Sequence, residues 1–574
     1  MLIVVDRSPD GGMLLTDDDG TIELPAAELA ATVAAREREP GEPPRWVWSD
    51  TAARYPELLA AGARVERCHD LRLVDAILAG VDGRAPEPAL ARTVEFVRPP
   101  MPRPQVEALF EFDDVVFDGS SAPVPAVRPG GPDLGRPAPV PTLAATQRAD
   151  LARDRGPGAP RPRALALLAA AESAGALAAV EMQSTGLPWS AETHDALLTE
   201  LLGPRPEAPG ARPASLTALG AEVERLLGAA PGSIPLDSPP ELVKALRRAG
   251  LEVSSARSWE LRRLDHPAIE PLLRYKKLSR LLSANGWNWL DAHVRDGRFR
   301  PSYVPGAVVT GRWGSDGGGA LQLPKQIRGA VQADPGWVLV VADAAQLEPR
   351  ILAALSHDAA MARAGAGEDL YAGIVASGAV ESREQAKLGM LGAMYGGTTG
   401  QSARVLPRLQ RAFPDAIRFV EEAARAGERG EHVRTRLGRT SPAPSEAWRE
   451  RQLIAASDAA TAAQRDEARS AARAWGRFTR NFVVQGSAAE WALSWMAGVR
   501  RRLWSPEGGP LASQPHLVFF LHDELIVHAP RERAPEVEQV MRAAAVDAGR
   551  LLFQGSPVSF PVTVATVERY SDAK

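Results

Sequence analysis

The pattern of apolar and polar positions divides the chain into stretches of different character. Apolar runs at 2–5 (LIVV) and 46–48 (WVW) predict strands, and the helical patterns around them make residues 1–96 a small α/β unit. Helical patterns return at 164–186 and 238–300, and strands alternate with long helices after that. The pattern predicts an α+β chain of several domains.

Two stretches interrupt this pattern. Residues 97–163 and 203–213 are rich in proline and glycine and lack periodicity, which favours loops or linkers. We therefore expect an α/β domain at 1–96, a linker or surface loop at 97–163, a mostly helical region at 164–300 and a C-terminal domain at 301–574.

The stretch WVLVVADAAQLEPRILAALSHD (337–358) predicts a strand followed by a helix. Pro349 suits the first turn of that helix, because its missing N–H would have no intrahelical partner there. Asp343 is therefore expected at the C-terminal end of a buried strand. A simple helix N-terminal acid is the alternative for this residue.

A second acidic position lies in the apolar stretch LVFFLHDELIVHAP (517–530). Because a buried unpaired charge is costly, we expect a β-hairpin whose turn, near His522 and Asp523, exposes the acids or places them at a cation. Asp343 and Asp523 at two strand ends could share two Mg²⁺ ions about 3.5–4 Å apart. An exposed turn aspartate is the alternative.

The stretch SREQAKLGMLGAMYGG (382–397) predicts a helix. Four side chains recur every four residues and so follow one slowly drifting face: Arg383, Lys387, Leu391 and Tyr395. Two cations followed by an apolar and an aromatic residue suit a nucleotide, with the cations at its phosphates. An amphipathic helix with solvated charges is the alternative.

Composition and charge narrow the possible function classes. The 574 residues carry a formal net charge of −4, so any nucleic-acid binding would depend on local basic patches. Cys68 is the only cysteine, which excludes an internal disulfide framework and a cysteine-based zinc site. The apolar run at the start, MLIVV, is too short for a signal peptide, and no apolar run reaches about 18 residues. We expect a cytoplasmic protein without a membrane span.

Together these stretches resemble motifs A, B and C of the family A DNA polymerases (the DNA polymerase I family), in the family's order. They are Asp343-A-A-Gln346-L-Glu348-P-Arg350, then Arg383-x3-Lys387-x7-Tyr395-Gly396, then His522-Asp523-Glu524. Four more segments are similar to segments of the family: RYKKLSR (274–280), TGRWGSDGGGALQLP (310–324), RTRLGR (434–439) and RFTRNFVVQGSAAEW (477–491).

The resemblance implies a right-hand polymerase fold of palm, fingers and thumb, preceded by a shortened RNase H-like α/β domain of the exonuclease type. The thumb would lie within 164–300, and the palm within 301–574 with the fingers inserted at about 359–480. The four cations of RYKKLSR would follow a phosphate backbone. A solvated basic face is the alternative there.

The resemblance also implies roles for individual residues at the metal and nucleotide sites. Asp343 and Asp523 would hold two Mg²⁺ ions with the carbonyl of Ala344, and Glu524 would be an auxiliary acid. Arg383 and Lys387 would hold the triphosphate and offset charge that develops during catalysis. Further nucleotide-binding residues would be Gln346, Glu348 as a steric gate against the ribose 2′-hydroxyl, Tyr371, Leu391 and Tyr395.

Primer-template DNA would contact a separate set of residues, all carried over from the resemblance: Lys276, Arg280, Arg312, Arg477, Asn481, Gln485 and His522. One departure concerns Leu391, which stands where the family usually has an aromatic ring that packs on the sugar. We therefore expect looser contact with the deoxyribose and altered discrimination against modified sugars.

Many members of the family carry a 3′–5′ exonuclease that depends on an Asp-x-Glu pair and two further aspartates. Residues 1–175 contain no Asp-x-Glu. Asp6 ends the strand LIVVD without a glutamate partner, and Asp70 is the nearest candidate for the second exonuclease segment. We expect an exonuclease-like domain without proofreading activity.

The sequence thus predicts a template-directed DNA polymerase that adds dNTPs to a primer 3′ end by two-metal nucleotidyl transfer, without effective proofreading. It would serve DNA replication or repair as a nucleoid-associated cytoplasmic monomer. Two alternatives remain open: a catalytically weak or inactive DNA-binding relative, and a polymerase with residual 3′–5′ exonuclease activity. Gln346 and Glu348 argue against a third, a single-subunit RNA polymerase.

Overall fold

The computed structural model of the protein describes residues 1–90, 139–208, 210–316, 319, 321, 323–397, 400–505 and 508–573. The first part is an α/β domain. Its elements are β1 (Leu2–Arg7), β2 (Met13–Asp17), β3 (Gly20–Leu24), α1 (Leu29–Glu37), β4 (Arg45–Trp48), α2 (Thr51–Ala60), β5 (Arg67–Asp70) and α3 (Leu71–Asp82).

The five strands form one mixed sheet in the order β3-β2-β1-β4-β5. β1, β2 and β3 are antiparallel, whereas β4 and β5 run parallel to β1. Alternate residues of the strands point to one face, where Ile3 and Val5 pack in the same core as Trp46. The start of the chain is thus an α/β unit, and its assignment as an RNase H-like domain stays a prediction.

Residues 97–163 were predicted to be a linker or loop, but part of them forms helix α4 (Val140–Ala152), so the prediction is wrong there. The part of the predicted loop before residue 139 lies outside the described residues. Gln147 of α4 is buried and donates to the carbonyl of Leu71 at 2.8 Å. Helix α4 therefore depends on tertiary contacts with the α/β domain, which the proline-rich local sequence did not reveal.

Helix α5 (Pro162–Thr185) joins the α/β domain to the rest of the chain. It contacts α2 and β5 on one side and the C-terminal elements on the other. Among the described residues it is the one helix long and apolar enough to cross a membrane, but 78% of its most apolar stretch is buried inside the protein. A mostly buried core helix can have the same length and the same apolar composition.

Short strands and helices follow α5. They are β6 (Leu187–Pro188), α6 (Ala191–Leu202), α7 (Ala214–Leu226), α8 (Pro239–Arg248), α9 (Ser258–Leu261), α10 (Ile269–Asn285), α11 (Trp287–His293), β7 (Val294–Arg295), β8 (Arg298–Phe299), β9 (Tyr303–Val304) and β10 (Gly314–Ser315).

The C-terminal region alternates strands with long helices, as the sequence predicted. Its elements are β11 (Trp337–Ala344), α12 (Leu347–Ser356), α13 (Ala359–Ala364), α14 (Leu370–Ala376), α15 (Arg383–Tyr395), α16 (Gly400–Ala412), α17 (Pro414–Glu428), α18 (Glu446–Ala456), α19 (Ala462–Leu503), β12 (His516–Leu521), β13 (Glu524–Pro530), α20 (Ala534–Leu552) and β14 (Val562–Val567).

An antiparallel sheet in the order β12-β13-β11-β14 forms the centre of this region. The middle of β11 is fully apolar and buried, because α20 contacts the sheet while β13 and β14 pair with β11 on either side. The register places Asp343 opposite Glu524 on β13 and opposite Thr563 on β14. The predicted strand end at Asp343 and the predicted hairpin are both confirmed.

A buried ion network connects α5 to both neighbours. Glu181 of α5 accepts from Arg500 of α19 at 2.6 and 2.9 Å, from Arg64 at 2.9 Å and from the Tyr55 hydroxyl at 2.7 Å. Arg500 also donates to the carbonyl of Val65 at 2.5 Å. Burial alone would raise the pKa of Glu181, but the two guanidinium groups lower it to about 2.

Glu181→Gln should lower the free energy of unfolding by about 3–5 kcal/mol at neutral pH, because it leaves buried guanidinium groups without a counter-charge. The folded-state pKa of Glu181 lies below its usual value, so its contribution is present above pH 4.5 and is lost as the pH falls toward 2. Scanning calorimetry across this pH range should show the deficit shrinking. The exposed Glu222→Gln should change stability by less than about 0.5 kcal/mol, and equal effects of the two variants would contradict the prediction.

Candidate active site

Two carboxylates meet at one end of the C-terminal sheet. Asp343 is the second-last residue of β11, and Asp523 lies in the two-residue turn between β12 and β13. The amide of Ala344 donates to the carbonyl of Asp523 at 2.9 Å, which fixes the turn beside the end of β11. Burial and the nearby charge of Asp343 raise the pKa of Asp523 to about 7.

This set of oxygen donors fits a divalent cation. Mg²⁺ prefers carboxylate and carbonyl oxygens, and a cation here would relieve the repulsion that raises the pKa of Asp523. Within the described ranges, no group of three or more histidine, cysteine, aspartate and glutamate side chains is arranged to hold a metal. The assignment of Asp343, Asp523 and the carbonyl of Ala344 as metal ligands stays a prediction.

The hairpin turn forces His522 into the left-handed region at φ 57°. A two-residue hairpin turn favours positive φ at its first central position, where a histidine is strained. Burial, with a contribution from the charge of Arg312, lowers the pKa of His522 to about 3, so its ring is neutral at physiological pH.

Glu348 of α12 is held between two partners. Arg312 donates to one of its oxygens at 2.5 Å, and the hydroxyl of Tyr395 donates to the other at 2.6 Å. Gln485 of α19 lies beside Tyr395 and accepts from the Thr310 hydroxyl at 3.0 Å. Residues that the sequence assigned to nucleotide binding and residues that it assigned to DNA binding are therefore in contact with one another.

Arg383 begins α15, and its Nε donates to Asp369 at 2.8 Å. Its guanidinium group lies 5.5 Å from the ring centre of the buried Tyr371. Lys387 and Leu391 follow on the same helix and are half-buried. The predicted helix is confirmed, and its two cations differ in exposure because Arg383 is at the solvent-exposed end.

Sequence comparison identifies the family. The sequence profile of DNA polymerase family A matches residues 218–570, which is more than half of the chain. The chain belongs to DNA polymerase family A. Curated relatives include a thermostable DNA polymerase I of Thermus filiformis, 27% identical over 326 residues, which span 51% of this chain and 36% of that protein. The DNA polymerase I of Chloroflexus aurantiacus is 28% identical over 342 residues, 54% of this chain and 33% of that protein.

The chain spans about a third of the length of these curated family A relatives. In fold it is similar to the POL domain of Pol1 from M. smegmatis, solved in complex with DNA primer-template and dNTP. That similarity has a TM-score of 0.65 at 19% identity and covers 100% of this chain and 95% of the other. The predicted fold class is therefore confirmed: an α+β multidomain polymerase fold.

The remaining residues predicted to bind DNA are more widely spread in this family A chain. A Cβ at Gly396, which ends α15 at φ 77°, would lie 2.8 Å from Cγ of Arg477, so Arg477 packs on the C-terminal end of α15. Asn481 lies one turn further along α19 and is half-buried. On α10, Lys276 donates to the carbonyl of Ala256, whereas Arg280 is exposed.

Arg350 is a residue of motif A to which the sequence assigned no role. It is fully buried and donates to the carbonyls of Ala345, Gly365, Gly367, Glu368 and Ser559 at 2.6–3.1 Å. Gln346, at φ 50°, accepts from the amide of Leu370 at 2.9 Å. These bonds hold the glycine-rich loop before Asp369, the partner of Arg383.

Tyr570 near the C-terminus was also missed. It is buried, its hydroxyl lies beside Glu524, and burial together with the charge of Glu524 raises its pKa. Glu524 itself is 2% exposed, so its carboxylate is buried next to Tyr570 instead of lying in the open turn. No local pattern signals this contact, because 46 residues of sequence separate the two side chains.

The acids of the N-terminal domain have structural partners. Asp70 is fully buried, and its two oxygens accept from the amides of Leu73 at 2.9 Å and Thr51 at 2.7 Å. One oxygen of Asp6 accepts from the amide of Val140 at 3.2 Å. Asp70 therefore acts as a helix cap.

Arg350→Lys should loosen the loop before Asp369, since an ammonium group cannot donate to five separate carbonyls in a plane. We expect amide hydrogen exchange at Leu370 and Tyr371 to accelerate at least about tenfold, because local opening becomes easier. The exposed Arg363→Lys on α13 is the matched control and should leave exchange unchanged. Unaltered exchange in Arg350→Lys would show that the loop is held by other contacts.

Mg²⁺ should raise the melting temperature of the wild type at pH 8 by about 2 °C or more, and should affect Asp523→Asn much less. The shift should shrink at pH 5, because the raised pKa of Asp523 means that a proton then competes with the cation. Asp458→Asn, an exposed aspartate, should respond as the wild type does. Equal shifts in all three proteins would place the cation elsewhere.

Proposed function

We propose that the chain is a template-directed DNA polymerase that adds dNTPs to a primer 3′ end. One observation carries the proposal: the juxtaposed carboxylates Asp343 and Asp523 are linked to the nucleotide helix α15 through Arg312, Glu348 and Tyr395. The solved relative in fold holds DNA primer-template and dNTP, which supports these partners for the present chain.

The side chains of the site would have different roles in binding and catalysis. Arg383 and Lys387 bind the triphosphate and offset the charge that grows on it during transfer. Asp343 and Asp523, with the carbonyl of Ala344, would hold two Mg²⁺ ions. Bound Mg²⁺ supplies Lewis acidity at the primer 3′-hydroxyl and the leaving pyrophosphate. Asp523 must lose its proton before it can bind a cation. Because its pKa is raised to about 7, it does so only near neutral pH and above.

Glu348 would select deoxyribose over ribose in the incoming nucleotide. Its two carboxylate oxygens are fixed by hydrogen bonds from Arg312 and Tyr395. A carboxylate held in this way excludes a ribose 2′-hydroxyl by both bulk and desolvation. Leu391 offers no ring to pack on the deoxyribose, so contact with the sugar is looser than in relatives with an aromatic residue. Gln485, His522 and the other predicted DNA-binding residues would hold the primer terminus.

We further propose that the N-terminal domain has no proofreading activity. The oxygens of Asp70 are occupied by backbone amides, and a carboxylate capping a helix has few lone pairs left for a metal. The protein would act as a nucleoid-associated monomer in the cytoplasm, in replication or repair synthesis.

A primer-extension assay with Mg²⁺, dNTPs and a recessed 3′ end tests the proposal. Wild type should extend the primer, and Asp523→Ala should reduce the rate at least about 1000-fold, because the charge at the metal site is removed. Asp458→Ala, an exposed aspartate, is the control and should extend normally. Without dNTPs the primer should stay intact. A wild type that binds primer-template but adds nothing would identify an inactive DNA-binding relative, and primer shortening would reveal residual exonuclease activity.

A further inference from the structure

Helix α5 packs directly on the segment that carries Arg312. A Cβ added at Gly175 would lie 2.8 Å from Cδ2 of Leu493 and 3.1 Å from Cζ2 of Trp313. Only glycine leaves room for this approach, and the close contact places Trp313 against the backbone of α5. Trp313 is 2% exposed, so its ring has little freedom to move.

A buried ion pair contacts the same segment one residue before Arg312. Glu172, almost one turn before Gly175 on α5, pairs with Arg439 of the RTRLGR motif. Both side chains are buried. A Cβ at Gly311, which has φ 89°, would lie 2.7 Å from Nε of Arg439, so this guanidinium group is in contact with the backbone of Gly311.

Arg312 therefore lies between two residues that α5 holds in place, Gly311 through Arg439 and Trp313 directly. Its own guanidinium group reaches Glu348 at 2.5 Å, so a shift of this backbone would change the centre of the site. Helix α5 is also bonded to the N-terminal domain, where the amide of Asp70 donates to the Ser173 hydroxyl at 3.1 Å.

We propose that Glu172 is a positioning residue: the Glu172–Arg439 pair sets the position of Arg312 and thereby the grip on the primer terminus. This inference rests on the proposed polymerase function. It also gives the N-terminal domain, which we propose has no nuclease activity, a role as the support of α5. The RTRLGR motif gains a function in the same way, because Arg439 is its last residue.

Two unsatisfied polar atoms of the Glu172–Arg439 pair indicate that the pair contributes little to the stability of the fold. Oε2 of Glu172 and Nε of Arg439 are buried and have no hydrogen-bond partner. A buried ion pair whose remaining donors and acceptors are unsatisfied is a poor source of stability compared with apolar packing. What it provides is geometry, because a guanidinium group against a buried carboxylate has few alternative positions.

A double-mutant cycle on primer-template binding tests the inference. Dissociation constants would be measured by fluorescence anisotropy for the full chain as wild type, Glu172→Gln, Arg312→Ala and the double variant. We expect Arg312→Ala to weaken binding about tenfold, the size of one lost charged contact. Glu172→Gln should weaken it about fivefold. The double variant should match Arg312→Ala alone, because Glu172 acts through Arg312.

The exposed Glu28→Gln in the N-terminal domain is the control. It should leave the dissociation constant unchanged, both alone and combined with Arg312→Ala. If Glu172→Gln fails to fold, Arg439→Lys replaces it in the same cycle, because it changes the other member of the pair and keeps the positive charge. Multiplying effects of Glu172→Gln and Arg312→Ala, or normal binding by Glu172→Gln, would overturn the inference. Binding needs no catalysis, so a wild type that binds but does not extend would refute the proposed function alone.

Discussion

Asp343 and Asp523 are two acids held side by side at the end of a buried sheet, where burial and the charge of Asp343 raise the pKa of Asp523, and the rest of the site is arranged around this pair. The backbone imposes the contact through the β11–β13 register and the bond from the Ala344 amide to the Asp523 carbonyl. Such a contact persists only where the surrounding structure is rigid, and β11 is paired on both edges. The strain of His522 in the same turn belongs to this arrangement.

Guanidinium groups connect the segments that keep this centre in place. Arg350 links motif A to the loop before Asp369, Arg439 links α5 to Gly311, and Arg500 links α19 to the N-terminal domain. Arginine suits this purpose because its planar fork offers five donors in fixed directions. Buried ions of this kind add little net stability, so their contribution lies in the geometry that they impose.

The family profile matches only residues 218–570, whereas the similarity in fold covers the whole chain. The N-terminal domain has a complete five-stranded sheet, whereas residues 1–175 contain no Asp-x-Glu and Asp70 is occupied by backbone amides, which is why we propose that it has no nuclease activity. Its contacts with α5 provide a physical reason to retain the fold. A domain can support a neighbouring site through packing alone, with no chemistry of its own.

The sequence by itself determined the elements whose signals are local: the strand before Asp343, the hairpin around Asp523 and the helix that begins at Arg383. Strand alternation, helical periodicity and the position of Pro349 depend on near neighbours, so pattern and motif order were sufficient for the fold class and for the family. Only the tertiary structure decided which of these residues meet.

Helix α4 was missed because the proline-rich sequence around its start favours a loop, whereas its stability comes from contacts with the distant α/β domain. The partners of Arg350, Tyr570 and Glu172 lie up to 267 residues away along the chain. Burial and hydrogen bonding between distant segments arise only when the whole chain packs, since desolvation depends on everything that surrounds a group. For this reason the sequence indicated the acids and cations of the site, whereas packing decided their charge states and their supports.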